Sequence, residues 1–157
     1  EFVRMLDMRT GITVITADIT IADYIDESLP SVDVIMLGGE LRKGHRYLFG
    51  PLTMAAIATI HADLAVICPG AFVAGRGFVT DFPQMAEIKQ AAMSAASHSV
   101  ALMDASKLTS RGTYCFAPIH AVDHIVIDKD DEGTLSDALA KLPNDAKRPQ
   151  LIVTTEQ

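Results

Sequence analysis

The 157-residue sequence has no tryptophan, and aromatic residues make up only 6% of it. A core with so few rings must be aliphatic, built from Ile, Val, Leu, Ala and Met. Two cysteines, Cys68 and Cys115, are too few for a disulfide framework. Cys68 stands in an apolar run and reads as a small buried hydrophobe, so a reducing, cytoplasmic setting is expected. No apolar run approaches the roughly 20 residues that cross a bilayer, and Pro69-Gly70 breaks the longest one. No secretory leader pattern opens the chain, and no membrane partner is expected. Positive charge is also scarce: 13 Lys and Arg face 20 Asp and Glu, for a formal net charge of −7. Gripping nucleic acid needs a basic face, so this balance argues against direct binding of DNA by these residues. A DNA-binding module elsewhere in a longer chain stays compatible with this balance.

What is present is an ordinary apolar fraction, 49%, and enough length for one domain with a full core. Apolar strands and helical patterns alternate. Ile12–Thr16 and Val32–Leu37 are β-rich runs, separated by helical spacing at Ile21, Ala22, Ile25 and Leu29 that Pro30 ends. Pro51 opens a helix that runs on through Thr53–His61. Leu64–Cys68 predicts a third strand. Asp81 and Pro83 announce a helix burying Met85, Ile88, Ala92 and Ala95. Val100–Met103 and His124–Ile127 predict two more strands. Thr134 with Asp137 resembles a capping box for a helix burying Leu135, Ala138, Leu139 and Leu142. Leu151–Thr154 predicts the last strand. This alternation implies an α/β fold, Rossmann-like, with a mostly parallel sheet and helices on both faces. Glu1–Leu6 reads as part of a helix without a start signal, as expected of a piece of a longer protein. No linker divides the chain, and residues 1–157 read as one domain.

In an open α/β sheet, ligands collect where strands end. Here those ends are polar and rich in glycine. Thr16-Ala17-Asp18 follows the first strand. Gly38-Gly39-Glu40-Leu41-Arg42 follows the second, and its glycine pair either lets backbone amides approach an anion or simply makes a tight turn. Arg42 is a planar fork suited to phosphate, or else a solvated surface charge. Gly70 follows the third strand, with Gly75, Gly77 and Thr80 beyond it. Asp104-Ala105-Ser106-Lys107 follows the fourth. A carboxylate, a hydroxyl and an ammonium at one strand end suit a small polyhydroxylated anion. Alone, the same tetrad reads more simply as an aspartate-capped turn and a solvated lysine; the other strand ends shift the balance. Glu87 and Lys89 lie near the start of the helix after Thr80, as a sugar contact, a relic acid/base pair, or a solvated face.

Other chemistries find little support. Gly75-Arg76-Gly77 is not a dinucleotide fingerprint, and no Gly-Lys-Ser/Thr step follows a strand. There is no Gly-x-Ser-x-Gly elbow. His120 and His124 are four apart, but Pro118 and the strand that follows make that spacing uninformative for metal. No catalytic residue, metal or cofactor is assigned.

Taken in order, these strand-end segments resemble the C-terminal effector-sensing domain of DeoR-type transcriptional regulators. The resemblance rests on Ile12–Asp18 (ITVITAD), Val34–Arg42 (VIMLGGELR), Phe49-Gly50-Pro51, Gly77–Thr80 with Glu87 and Lys89, Asp104–Lys107 (DASK) and Val122–Asp128. It implies a phosphorylated sugar or derivative as effector, contacted by Asp18, Gly38, Gly39, Glu40, Arg42, Gly70, Thr80, Glu87, Lys89, Asp104, Ser106 and Lys107. It implies homo-oligomers, and operator DNA held by an N-terminal helix-turn-helix outside this chain. The first strand and a phosphate-cradling loop are expected just before Glu1. Ala17 stands where the family usually has Asn. The fold is shared with ribose-5-phosphate isomerase, glucosamine-6-phosphate deaminase and the coenzyme A transferases, so enzymes are the alternatives. The isomerase carries an acidic pair in the loop after its third strand, whereas Cys68–Ala74 holds no carboxylate, which favours a regulator. A coenzyme A transferase would need a nucleophilic glutamate, for which Glu40 is the candidate.

Overall fold

The computed structural model describes residues 1–154. The fold is mixed α/β, as its sequence pattern implies. It divides between Thr59 and Ile60 into two compact units. That division falls between a helix and a strand, not in the Pro- or Gly-rich linker that would mark it in a sequence.

In the first unit, a 3-10 turn over Phe2–Met8 replaces the helix expected at the start. β1 (Ile12–Thr16) and β2 (Val32–Met36) pair in parallel with Val14 opposite Val34. Between them lies α1 (Ile19–Ser28). Asp18 caps it, its Oδ1 accepting from the amides of Thr20 at 2.7 Å and Ile21 at 3.2 Å. Ile25 and Leu29, spaced four apart, bury themselves against Val32, with Ile12, Val14 and Val34 from the strands alongside. β3 (Glu40–Arg42) and β4 (Tyr47–Phe49) form an antiparallel hairpin with Arg42 opposite Tyr47. Gly44 and Arg46 both take positive φ in its loop. Gly50-Pro51 then starts α2 (Pro51–Ile57). This helix stops four residues before the expected His61. The Thr59 amide already turns back to the Ala56 carbonyl at 3.1 Å, a tightened last turn.

In the second unit, β5 (Ala62–Ile67), β8 (Ala96–Met103), β10 (His124–Ile127) and β11 (Gln150–Val153) form an all-parallel sheet in the order β11-β10-β8-β5. β8 is twice the length the sequence suggests. Its first half is polar, and Ser99 is tolerated inside because Asp123 answers it. The Asp123 carboxylate accepts from the Ser99 amide at 2.8 Å and pairs with Lys147 at 2.8 Å. β6 (Ala71–Val73), β7 (Gly77–Thr80) and β9 (Tyr114–Ala117) make a separate antiparallel sheet that periodicity does not reveal. Three of the six phenylalanines meet there: Phe72 is tilted against Phe78 at 5.5 Å between centroids, and Phe78 stacks on Phe116 at 6.3 Å. They join Ala101, Met103, Ile125, Ile127 and Leu135 in one core. Against it pack α3 (Pro83–Ser94) and α5 (Thr134–Ala140), through Ala86, Ala92, Ala138 and Leu139. A short α4 covers Ser106–Thr109. The capping box expected at Thr134 does not form. Gly133 is the N-cap, in the left-handed region, and Asp130 instead accepts from the amides of Leu135 and Ser136.

Asp123 gives a first testable consequence. The Lys147 ammonium, then the Ser99 amide, hold its carboxyl down at about 2, below its usual 3.8. A carboxyl lowered on folding adds stability above its unfolded value and loses it as pH falls through the folded one. Asp123→Asn should therefore lower the midpoint of thermal unfolding at neutral pH. The gap to the parent protein should close as the pH drops from 4 to 2. A constant gap across that range would show that the charge contributes nothing.

Candidate functional site

Each unit has a polar rim at its strand ends. In the first unit, β1 ends at Thr16, β2 at Met36, and the hairpin folds over them. The Leu37 amide donates to the Thr16 carbonyl at 2.8 Å and the Leu48 amide to the Ala17 carbonyl at 2.8 Å. Asp18 and Tyr47 form an isolated antiparallel bridge. The structure thus brings Asp18, Gly38, Gly39, Glu40 and Arg42 to one edge, with different degrees of commitment. One Asp18 oxygen is the α1 cap. Arg42 donates to the Tyr47 hydroxyl, and its guanidinium stands 5.6 Å from that ring's centroid. Glu40 is exposed. Gly39, at φ 149°, is boxed in: an added Cβ would lie 2.2 Å from Thr53 Oγ1 and 2.6 Å from the Phe49 carbonyl. Thr53, fully buried, donates to the Gly38 carbonyl at 2.6 Å. Sequence reasoning missed Thr53 and Tyr47. A threonine in an apolar helix and a tyrosine in a short hairpin carry no signal of their own.

In the second unit, β5, β8 and β10 are parallel neighbours, so their carboxyl ends share one side of the sheet. Cys68-Pro69-Gly70 leaves β5 there. Cys68 is exposed, not buried as its apolar context suggests, because it stands one residue past the last paired position, Ile67. Cys115 is exposed too, and both are free. Gly70 donates its amide to the Val79 carbonyl at 3.0 Å and touches Thr80, the nearly buried end of β7. The Gly70 amide is therefore already used. From α3, Lys89 reaches the same corner. Its Nζ donates to the Cys68 carbonyl at 2.5 Å and lies 5.8 Å from the Phe116 ring centroid. Burial pushes its pKa down, against a smaller upward pull from Cys68. No carboxylate of the described residues forms an ion pair with it. Glu87 is exposed on the same helix. Two positions apart is about 200° around a helix, so the structure does not bring Glu87 to Lys89.

The tetrad Asp104–Lys107 leaves β8. Asp104 Oδ1 accepts from the Ser106 amide at 2.9 Å, and its carbonyl accepts from the Lys107 amide at 3.0 Å. The Ser106 hydroxyl, then the Ser106 amide and the Lys107 ammonium, hold the Asp104 carboxyl below its ordinary value, against the opposing effect of partial burial. Asp128, at the end of β10, supplies a third acceptor: its Oδ1 takes the Ala105 amide at 2.6 Å. The polar residue straight after the strand His124–Ile127 was a legible signal for it. Gln84, in the first turn of α3, was not legible, and its Oε1 is buried without a hydrogen-bond partner. Among the described residues no group of three or more His, Cys, Asp and Glu is placed to hold a metal, and no helix is long and apolar enough to cross a membrane.

A family model described as the DeoR C-terminal sensor domain matches residues 1–129, which include both rims. The chain belongs to that family. The sensor domain is 28% identical to the HTH-type transcriptional repressor GlcR of Bacillus subtilis (strain 168) over 144 residues, which are 92% of this chain and 53% of that protein. It is 22% identical to a putative aga operon transcriptional repressor of Escherichia coli O157:H7 over 142 residues, 90% of this chain and 51% of the other. The sensor domain therefore spans about half the length of the curated relatives it matches. Both relatives carry the name of transcriptional repressors, one of them putative, and the part they share with this chain is the sensor domain.

Proposed function

We propose that this sensor domain binds a phosphorylated sugar or sugar derivative and that occupancy alters the operator affinity of the full-length protein. DNA would be held by a helix-turn-helix outside these residues, in a cytoplasmic homo-oligomer that represses genes of sugar metabolism. The observation that carries the reading is Lys89: a half-buried cation at the strand-end rim, with a carbonyl and a ring for company and no ion-pair carboxylate among the described residues. An anionic ligand supplies the counter-charge. On the same rim the tetrad offers an ammonium at Lys107, a hydroxyl at Ser106 and an acceptor at Asp104, the set a phosphosugar needs. Gly70 and Thr80 shape the corner beside Lys89, and Glu87 stands at its margin. In the first unit, the Gly38-Gly39 backbone and Arg42 suit an anion, and Glu40 and the second oxygen of Asp18 suit hydroxyls. To act as an effector the ligand must favour one arrangement of the protein over another.

A thermal-shift screen of the full-length protein tests this, with phosphosugars run beside their unphosphorylated counterparts. Stabilisation by a phosphosugar alone, without conversion of that sugar, is the expected result. Lys107→Ala should then weaken that ligand by about 10- to 100-fold, the loss of one charge-assisted contact, with little change in unliganded stability. Equal response to the unphosphorylated sugars, or turnover, would sink the reading.

A further inference from the structure

The tetrad is tied down more completely than a flexible ligand loop would be. β8 and β10 pair in register, Met103 opposite Ile127, so Asp104 and Asp128 stand side by side just beyond the last paired residues. Their two carboxylates divide the loop's amides between them. Asp128 Oδ1 accepts from Ala105 at 2.6 Å and from Lys129 at 2.8 Å; Asp104 Oδ1 accepts from Ser106 at 2.9 Å. The Lys107 amide goes to the Asp104 carbonyl at 3.0 Å. Three successive amides, Ala105, Ser106 and Lys107, thus already have acceptors within the protein. An anion at this strand end cannot be held by the loop's backbone. It must be held by the side chains of Ser106 and Lys107, whose usefulness depends on where the loop sets them.

The geometry points to Asp128 as the positioning residue of this site, fixing the tetrad from the neighbouring strand so that Ser106 and Lys107 meet the ligand. The inference rests on the ligand reading above and deepens it. Asp104 ties residues of its own loop, and such a local turn can move as a body. Asp128 ties that loop to a different strand of the sheet, which is what removes the freedom. Bonds from backbone amides to a carboxylate are the stronger, charge-assisted kind. Asp128 itself is only half-buried and lies outside the core cluster, so its removal should loosen the loop without opening the sheet.

The test compares Asp128→Ala and Asp128→Asn in the full-length protein. Asparagine keeps an acceptor oxygen for the Ala105 amide; alanine does not. Two readouts are needed: amide hydrogen exchange at residues 105–107 without ligand, and affinity for inorganic phosphate and for the phosphosugar that stabilises the parent most. For Asp128→Ala, exchange at Ala105 should rise about tenfold or more while Ser106 and Lys107, held by Asp104, change less and β8 and β10 keep their protection, and affinity should fall about tenfold. Asp128→Asn should recover most of both. Unchanged exchange at Ala105 overturns the inference. Faster exchange with unchanged affinity also overturns it, because Asp128 would then be a structural tie alone. A parent protein that binds neither inorganic phosphate nor any phosphosugar overturns the ligand reading itself, and this inference with it, before any variant is compared.

Discussion

Replacing Gly39 with alanine is expected to destabilise the first unit severely, by about 2–4 kcal/mol, the combined range for a strained backbone and an overpacked contact. Two causes act together. The φ of 149° is one that residues with a Cβ rarely adopt. The new Cβ would also lie 2.2 Å from Thr53 Oγ1 and 2.6 Å from the Phe49 carbonyl. Neither neighbour can yield cheaply. Thr53 is fully buried and bonded to Gly38, and the Phe49 carbonyl belongs to β4 of the hairpin. Gly44→Ala is the control: its φ of 81° imposes the same kind of strain, but nothing lies within 4 Å of its Cβ. Chemical denaturation of both variants separates the causes. Gly39→Ala should lose much more stability than Gly44→Ala. Equal losses would show that backbone strain alone matters and that Thr53 does not fix the Gly38-Gly39 step.

The contrast between these glycines shows what a sequence can and cannot disclose. Gly38-Gly39 was readable as a place where an anion or a tight turn needs glycine. That Gly39 is demanded by Thr53, fourteen positions on, depends on packing and has no local trace. The parallel strands were legible because long apolar runs stand out: Ile12–Thr16 and His124–Ile127 match their observed limits. β3, β4, β6, β7 and β9 were not, since each spans only three or four residues of antiparallel pairing, and β9 finds its partner β7 far back along the chain. β8 was half legible. Its Val100–Met103 part is apolar, but Ala96–Ser99 becomes strand only because β5 pairs with it and Asp123 satisfies Ser99. The same logic governs the site. Asp104, Ser106 and Lys107 were legible as candidates from their chemistry at a strand end. Asp104 itself holds the Ser106 and Lys107 amides, while the one tie from the neighbouring strand, to Ala105, comes from Asp128, a residue the pattern showed but gave no role.

Lys89→Met is expected to move stability and ligand response in opposite directions. Burial pushes the Lys89 pKa down, so folding disfavours its protonated form. The sign follows from linkage. A lysine whose pKa falls on folding costs stability while the unfolded chain holds its proton, and the cost fades as pH rises through the folded value toward the unfolded 10.5. At neutral pH, well below the unfolded 10.5, the unliganded protein therefore carries this cost. Methionine keeps an unbranched apolar stem against Phe116 and removes the charge, at the loss of one hydrogen bond to the Cys68 carbonyl. The midpoint of thermal unfolding should rise by a few degrees at pH 7, and the gain should shrink as the pH approaches 10. Phosphosugar affinity should fall by about 10- to 100-fold, the loss of a charge-assisted contact in a half-buried place. Stability given up at a binding residue and recovered when it is removed is the usual trade at functional sites. Loss of stability at neutral pH would mean that Lys89 serves the fold through Cys68 and Phe116. Unchanged ligand affinity would remove it from the site.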